Sequence, residues 1–325
     1  MNNIMPAKGG SASGGKIVFF GTANVALPIL EALRKEHEIL AVVTNPDAPA
    51  GRSGKPQESP VSALAADLNL MCLKPKKVKG NAEFLEQLKQ LNADIFVVVA
   101  YGTIMPLEII SLPKYKSINV HFSALPKYRG PSPMQAALLN GDQQTGVSMF
   151  VLDELPDHGP LIDQQIVGIE PDDNYFTLSD KLAKISAKAI NQVLADYTSN
   201  KITPLPQDDS SASQTHIIAK QDGKIDWNKS AEQIYNQFRA FYLWPGIFTT
   251  WKGQNLKITE CITAENSQES TAENYGIGTV LEGGFVACGE GKLLKINRLQ
   301  LAGKNEVSFL EFINGYRDFV GSVLG

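Results

Sequence analysis

The sequence predicts an α/β protein: a mostly parallel sheet covered by helices, followed by a second, smaller β-barrel domain. Three observations carry this. Apolar runs of strand length alternate with helical stretches over the first two hundred or so residues, the pattern of parallel strands joined by crossover helices. The stretch "DIFVVVAYG" is apolar and rich in β-branched residues, as a strand buried on both faces must be. From residue 246 onward, short strands follow one another across glycine-bearing turns, the signature of a small barrel.

The elements follow in order. Residues 1–15, "MNNIMPAKGGSASGG", hold no apolar core of a secretory signal and are expected to be a flexible tail. "KIVFFG" is the first strand, a helix covers 24–35, and "ILAVVT" is the second strand. Residues 45–60 carry four prolines and two glycines and are expected to form an irregular, functional loop. Helices are expected over 59–68 and 81–91, with a short strand near residue 71 between them. "DIFVVVAYG" and "SINVH" are the next strands, then a helix over 132–139, then strands "GVSMFVL" and "PLIDQQIVGI". A helix over 178–197 has Leu178, Leu182, Ile185, Ala189 and Val193 in one stripe, and Thr177 with Asp180 as its expected capping box. The arrangement is Rossmann-like, and such sheets bind ligands beyond the carboxyl ends of their strands.

Residues 204–215, "PLPQDDSSASQT", read as a linker, so the expected domains are 16–203 and 216–325. In the second, a helix over 230–241 precedes "GIFTTW", "LKITECI", "IGTVL", "GFVACG" and "LLKINRLQL", and a last helical segment covers 308–320. Trp227, Trp244 and Trp251 are expected in a barrel core or domain junction.

Charge narrows the function. Net charge is −4, with 18 basic against 20 acidic residues in 1–200 and 12 against 14 in 201–325. Neither part is a basic domain, so a nucleic-acid partner must be met by local patches. Two are visible. Arg52 and Lys55 stand in the 45–60 loop, where a mobile basic arm suits phosphate contact, and "LKPKKVK" holds Lys74, Lys76, Lys77 and Lys79. Solvated surface is the commoner reading of both. The three cysteines are scattered without metal-ligand spacing, which fits a reducing compartment; no metal is expected. No apolar run approaches a membrane span.

The chemistry gathers around "NVHFSALPKYRG". Asn119 and His121 are two apart on a strand, so both side chains leave the same face, at the strand's carboxyl end. An amide donor and an imidazole side by side can hold a developing oxyanion and move a proton. Asp157 in "LDELPDHGP" is the candidate carboxylate to orient the histidine. From spacing alone N-x-H is a weak signal, and a turn cap beside a rim histidine is the commoner arrangement. "FFGTANVA" lacks the glycines of a dinucleotide fingerprint, and there is no H-E-x-x-H, no Walker A lysine and no G-x-S-x-G.

"NVHFSALPKYRG" followed by "PDHG", with the aspartate 157 − 121 = 36 positions after the histidine, resembles the signature of the folate-dependent formyltransferases. "VVVAYGTIMP" and "NGDQQTGVSMF" are similar to the same family. "PDAPAGRSGKPQESPV", "DGKIDWNKSAEQIYNQFRAFYLWPG" and "LLKINRLQLAGK" resemble the members that act on aminoacylated initiator tRNA. The resemblance runs from Lys16 onward. It implies transfer of a formyl group from 10-formyltetrahydrofolate to the amino group of methionyl initiator tRNA. A cytoplasmic enzyme is expected, and a monomer, since the two domains account for the apolar segments of the sequence. The resemblance implies that Asn119, His121 and Asp157 are catalytic. It places Ser123, Ala124, Leu125 and Pro126 along the folate, Arg52 and Lys55 against the tRNA, and tRNA on an OB-like second domain. The chain departs from the family at Phe122, usually Gly, and at Ala124, usually Leu. A formyltransferase for amino sugar nucleotides would share the trio; the Arg52 loop and the "DGKIDW" junction resemble the tRNA branch instead.

Overall fold

The computed structural model describes residues 14–49, 56–264 and 275–325. Arg52 and Lys55 lie outside the described residues. The first elements are β1 (Lys16–Gly21), α1 (Leu27–Glu36) and β2 (Glu38–Val43). The 45–60 segment was expected to be irregular throughout, yet it contains a two-residue antiparallel ladder, β3 (Ala48–Pro49) with β4 (Pro56–Gln57). Pro49 faces Pro56, and a proline without an N–H is tolerated in a ladder with free edges. α2 (Pro60–Asp67) starts at Ser59, whose side chain accepts from the Ser62 N–H, with proline at the first helical position. β5 (Cys72–Leu73), α3 (Ala82–Leu91) and β6 (Ile95–Val99) follow, then α4 (Leu107–Ile110), a single turn too short to show periodicity in the sequence. β7 (Ser117–His121), α5 (Pro133–Leu139), β8 (Gln144–Val151) and β9 (Leu161–Gly168) complete the sheet region.

The seven-stranded sheet has the order β5-β2-β1-β6-β7-β8-β9. From β5 to β7 all pairings are parallel, and β8 runs antiparallel to β7. Its core is built from Val18, Phe20, Val43, Phe84, Phe96, Tyr101 and Ile109, with the Phe20 and Phe96 rings 5.2 Å apart. α6 (Tyr175–Thr198) begins three residues earlier than its stripe predicts. The expected Thr177–Asp180 box is replaced by Asn174, whose side chain accepts from the N–H groups of Phe176 and Thr177, while the Thr177 hydroxyl donates to Asp173.

The chain divides into two compact units. The first holds Gly146–Val167, Ser179–Gln214 and the described residues up to Pro131; the second holds Ser132–Thr145, Gly168–Leu178 and the described residues from Thr215 on. The 204–215 segment, expected as a linker, is bound into the first unit up to Gln214. Leu205 pairs with Leu161, and the Arg129 N–H donates to the Ser213 carbonyl at 2.8 Å.

In the second unit, α7 (Ala231–Ala240) carries the Ser230–Gln233 capping box. Arg239 is buried there, donating to the Asp173 carbonyl at 3.1 Å and to Asn236 Oδ1 at 2.5 Å. The strands β10 (Ile247–Trp251), β11 (Gln254–Thr263), β12 (Phe285–Ala287), β13 (Leu293–Leu301) and β14 (Val307–Ser308) form a curled antiparallel half-barrel. "IGTVL" is not a strand but two isolated bridges, Thr279 to Val323 and Val280 to Val286. α8 (Phe309–Gly315) stops short of the expected residue 320. Trp251 packs edge-on to Phe312 and Phe319, and Trp227 donates to Thr249, both buried as expected. Trp244 departs from that expectation: it is 58% exposed, because it follows α7 in a turn and no strand carries it inward.

Candidate active site

β7 is buried on both faces except at Asn119, and it delivers Asn119 and His121 to the carboxyl edge of the sheet. The chain then turns sharply. Tyr128 has φ +62° and Gly130 φ +108°, so the segment after β7 doubles back over its own strand end. Phe122, the first residue after β7, is buried.

Asp157 arrives from the loop after β8, itself at φ +51°. One carboxylate meets three groups. Gly130 N–H donates to Oδ2 at 2.7 Å, Asn119 Nδ2 donates to Oδ1 at 3.3 Å, and His121 Nδ1 lies 3.7 Å from Oδ2. The three residues singled out from the sequence therefore converge. Their hierarchy is less expected: the shortest contact of Asp157 is to the Gly130 backbone, and His121 is beyond hydrogen-bond distance.

The His121 ring is fixed from its other side. Nε2 lies 2.9 Å from the Tyr128 carbonyl oxygen. A carbonyl only accepts, so Nε2 carries the proton and Nδ1 is the nitrogen that faces Asp157. The imidazole is 6% exposed and sits edge-on to Phe150 at 6.5 Å.

Ser123, Ala124, Leu125 and Pro126 form the turn beside this site, and two of them are occupied in holding it. Ser123 is fully buried; its hydroxyl donates to the Lys127 carbonyl at 2.6 Å, and its own carbonyl accepts from Ser148. The Leu125 N–H donates to Ser148 Oγ, and Gln164 Nε2 donates to the Leu125 carbonyl at 2.7 Å. Ala124 and Pro126 are the partly exposed pair. Gly146 allows the turn to lie against β8, since a Cβ there would sit 2.7 Å from the Gln165 carbonyl and 3.2 Å from the Ala124 Cβ.

Sequence reading missed the supports of the Asp157 loop. Gln207 Nε2 donates to the carbonyls of Asp157 at 2.9 Å and Gly159 at 2.8 Å. Arg129, 5% exposed, donates in turn to Gln207 Oε1 and, at 2.7 Å, to Asp209. His158 bridges Asp153 at 2.6 Å and Asp209 at 3.4 Å, and the Asp153 hydrogen bond holds its imidazole above its ordinary pKa. The available signal was Arg129 itself, inside the signature stretch: a buried arginine needs an acceptor, and "QDD" in the supposed linker supplies it.

Residues 15–194 match the model of the family described as formyl transferase, and residues 217–317 match the formyl transferase C-terminal domain. The chain belongs to the formyl transferase family. Among its relatives are methionyl-tRNA formyltransferases of Caldicellulosiruptor saccharolyticus, 41% identical over 95% of this chain and 99% of that one, and of Caldanaerobacter subterraneus, 39% identical over the same shares. A Staphylococcus aureus methionyl-tRNA formyltransferase is 36% identical over 92% of this chain and 96% of its own. The fold is also that of WlaRD, a sugar 3N-formyl transferase solved with dTDP and 5-N-formyl-THF (TM-score 0.64, 22% identity, 91% of this chain, 100% of that one). HypX of Aquifex aeolicus shares it too (TM-score 0.63, 14% identity, 95% of this chain, 50% of that one). Among the described residues no helix is long and apolar enough to cross a membrane.

Proposed function

We propose that the chain transfers the formyl group of 10-formyltetrahydrofolate to the α-amino group of methionyl initiator tRNA, with Asn119, His121 and Asp157 as its reacting groups. The observation that carries this is the meeting of an amide at 3.3 Å and an imidazole at 3.7 Å on one carboxylate, at a strand end, in a chain whose relatives of matching length are methionyl-tRNA formyltransferases. The reading makes it a cytoplasmic, monomeric enzyme of translation initiation, with Arg52 and Lys55 against the tRNA.

10-Formyltetrahydrofolate supplies the formyl carbon, and the partly exposed Ala124 and Pro126 offer it an apolar wall beside the trio. The amine attacks as the neutral base, and negative charge grows on the formyl oxygen. Asn119 has two amide N–H groups; one leans on Asp157, and the other is available to that oxygen. His121 takes a proton from the amine through Nδ1, the nitrogen not engaged by Tyr128. The resulting imidazolium is flanked by Asp157 at Nδ1 and by the Tyr128 carbonyl at Nε2, so its charge is met on both sides. From there the proton passes to the departing folate nitrogen.

The test is a paired assay. The protein is incubated with 10-formyltetrahydrofolate and methionyl initiator tRNA, and separately with an amino sugar nucleotide. Formyl-methionyl-tRNA is the expected product; formylation of the sugar alone overturns the reading.

A further inference from the structure

We propose that Lys76, Lys77 and Lys79 form a phosphate track for the acceptor arm of the RNA substrate; this rests on the function proposed above. Residues 74–81 hold four lysines and no acidic residue, in a chain whose net charge is −4. Lys74 is neutralised by Asp47 at 2.6 Å. Lys76, Lys77 and Lys79 are exposed, and among the described residues none of them forms an ion pair.

The loop is held rather than trailing. Between Lys77 and Lys79, Val78 is buried to 5% exposure in the same apolar core as Phe84 and Phe96. Asn81 donates from Nδ2 to the Lys77 carbonyl at 2.9 Å and caps α3 by accepting from the Phe84 N–H. Gly80 turns the chain at φ +68°, with nothing near the position of a Cβ. The anchored valine, the cap and the Lys74–Asp47 pair together fix where the three free ammonium groups emerge.

That place is the edge of the sheet that carries the site. β5 and β7 run parallel through β2, β1 and β6, so the loop after β5 and the end of β7 share the carboxyl edge. Four strand spacings separate them, about 19 Å at about 4.8 Å each. That is the reach of a few nucleotides, so an RNA whose aminoacyl end lies at His121 brings backbone phosphates, not its ester, to the lysines. The residue type fits as well. Lysines act as point charges and read a phosphodiester backbone without sequence preference, whereas a carboxylate-bearing ligand is better held by a bidentate arginine fork.

The experiment measures binding of uncharged initiator tRNA by fluorescence anisotropy across a salt series, for the wild type and for Lys76→Gln/Lys77→Gln/Lys79→Gln. Lys89→Gln, on the last turn of α3, is the surface control. Three phosphate contacts contribute about 2–3 to the slope of log affinity against log salt. The triple variant should lose that much slope, with a raised KM for methionyl-tRNA and an unchanged melting temperature, and the control should lose none. An unchanged slope overturns the proposal. So does a defect confined to the KM of a polyglutamylated folate, which would assign the lysines to the folate tail. The binding slope does not depend on turnover, so the lysines are scored even if formyl transfer to tRNA is absent, an outcome that would sink the functional reading instead.

Discussion

Gln207 donates both of its amide hydrogens to the loop that carries Asp157, one to the Asp157 carbonyl at 2.9 Å and one to the Gly159 carbonyl at 2.8 Å. A residue fifty positions downstream thus sets the backbone of a proposed catalytic carboxylate. Gln207→Ala leaves both carbonyls without this donor and Arg129 without its Oε1 acceptor. An unsatisfied buried polar group costs about 1–3 kcal/mol. The expected result is a lower urea midpoint together with a kcat loss of roughly tenfold or more, since the trio loses its register. Wild-type kcat in a folded Gln207→Ala protein would show that the loop does not need this support.

Gly159→Ala attacks the same loop by another route. An added Cβ would land on the Val151 carbonyl oxygen, with the Phe150 ring 3.3 Å away. Backbone does not yield cheaply, so Asp157 must shift. Stability should fall by about 1–3 kcal/mol, as for other overpacked sites, and activity should fall with it. Urea denaturation and a formylation assay on the same preparation would check both; an unperturbed variant would contradict the placement of Gly159.

A pH test concerns the opposite edge of the sheet. Burial pushes the His37 imidazole below its ordinary value, against the pull of the Glu36 charge and the Gly15 backbone. The unfolded chain therefore binds a proton at His37 more readily than the folded one. Unfolding is favoured as pH falls from about 6.5 toward the lower folded value, and the contribution vanishes above that window. His37→Phe should lose less stability than the wild type between pH 7.5 and pH 5.5, read from urea midpoints. Equal losses would show that His37 does not titrate this way.

The sequence carried much of this. β7 could be read because an apolar run ended in Asn-x-His, and the sheet class followed from alternation that survives any error in helix ends. Asp157 could be read through its setting, a tight loop before Gly159. What stayed hidden was set by long-range or backbone features. The orientation of His121 depends on the Tyr128 carbonyl, which reaches it only because Tyr128 adopts φ +62°, and no side-chain pattern encodes that. Gln207 and Asp209 stood in a polar stretch that composition marks as a linker; their binding to Arg129 and to the Asp157 loop is a matter of tertiary packing. The β3–β4 ladder was masked by prolines, which argue against strands except where N–H groups are not needed.

The measurement that tests the central claim most directly is single-turnover formyl transfer by Asn119→Ala at saturating methionyl-tRNA and 10-formyltetrahydrofolate. Losing one oxyanion donor typically slows turnover about a hundred- to a thousandfold. That loss, with tRNA affinity close to wild type, is the predicted result. Near-normal turnover in the folded variant would contradict the assignment of Asn119, and with it the mechanism built on the Asp157 convergence.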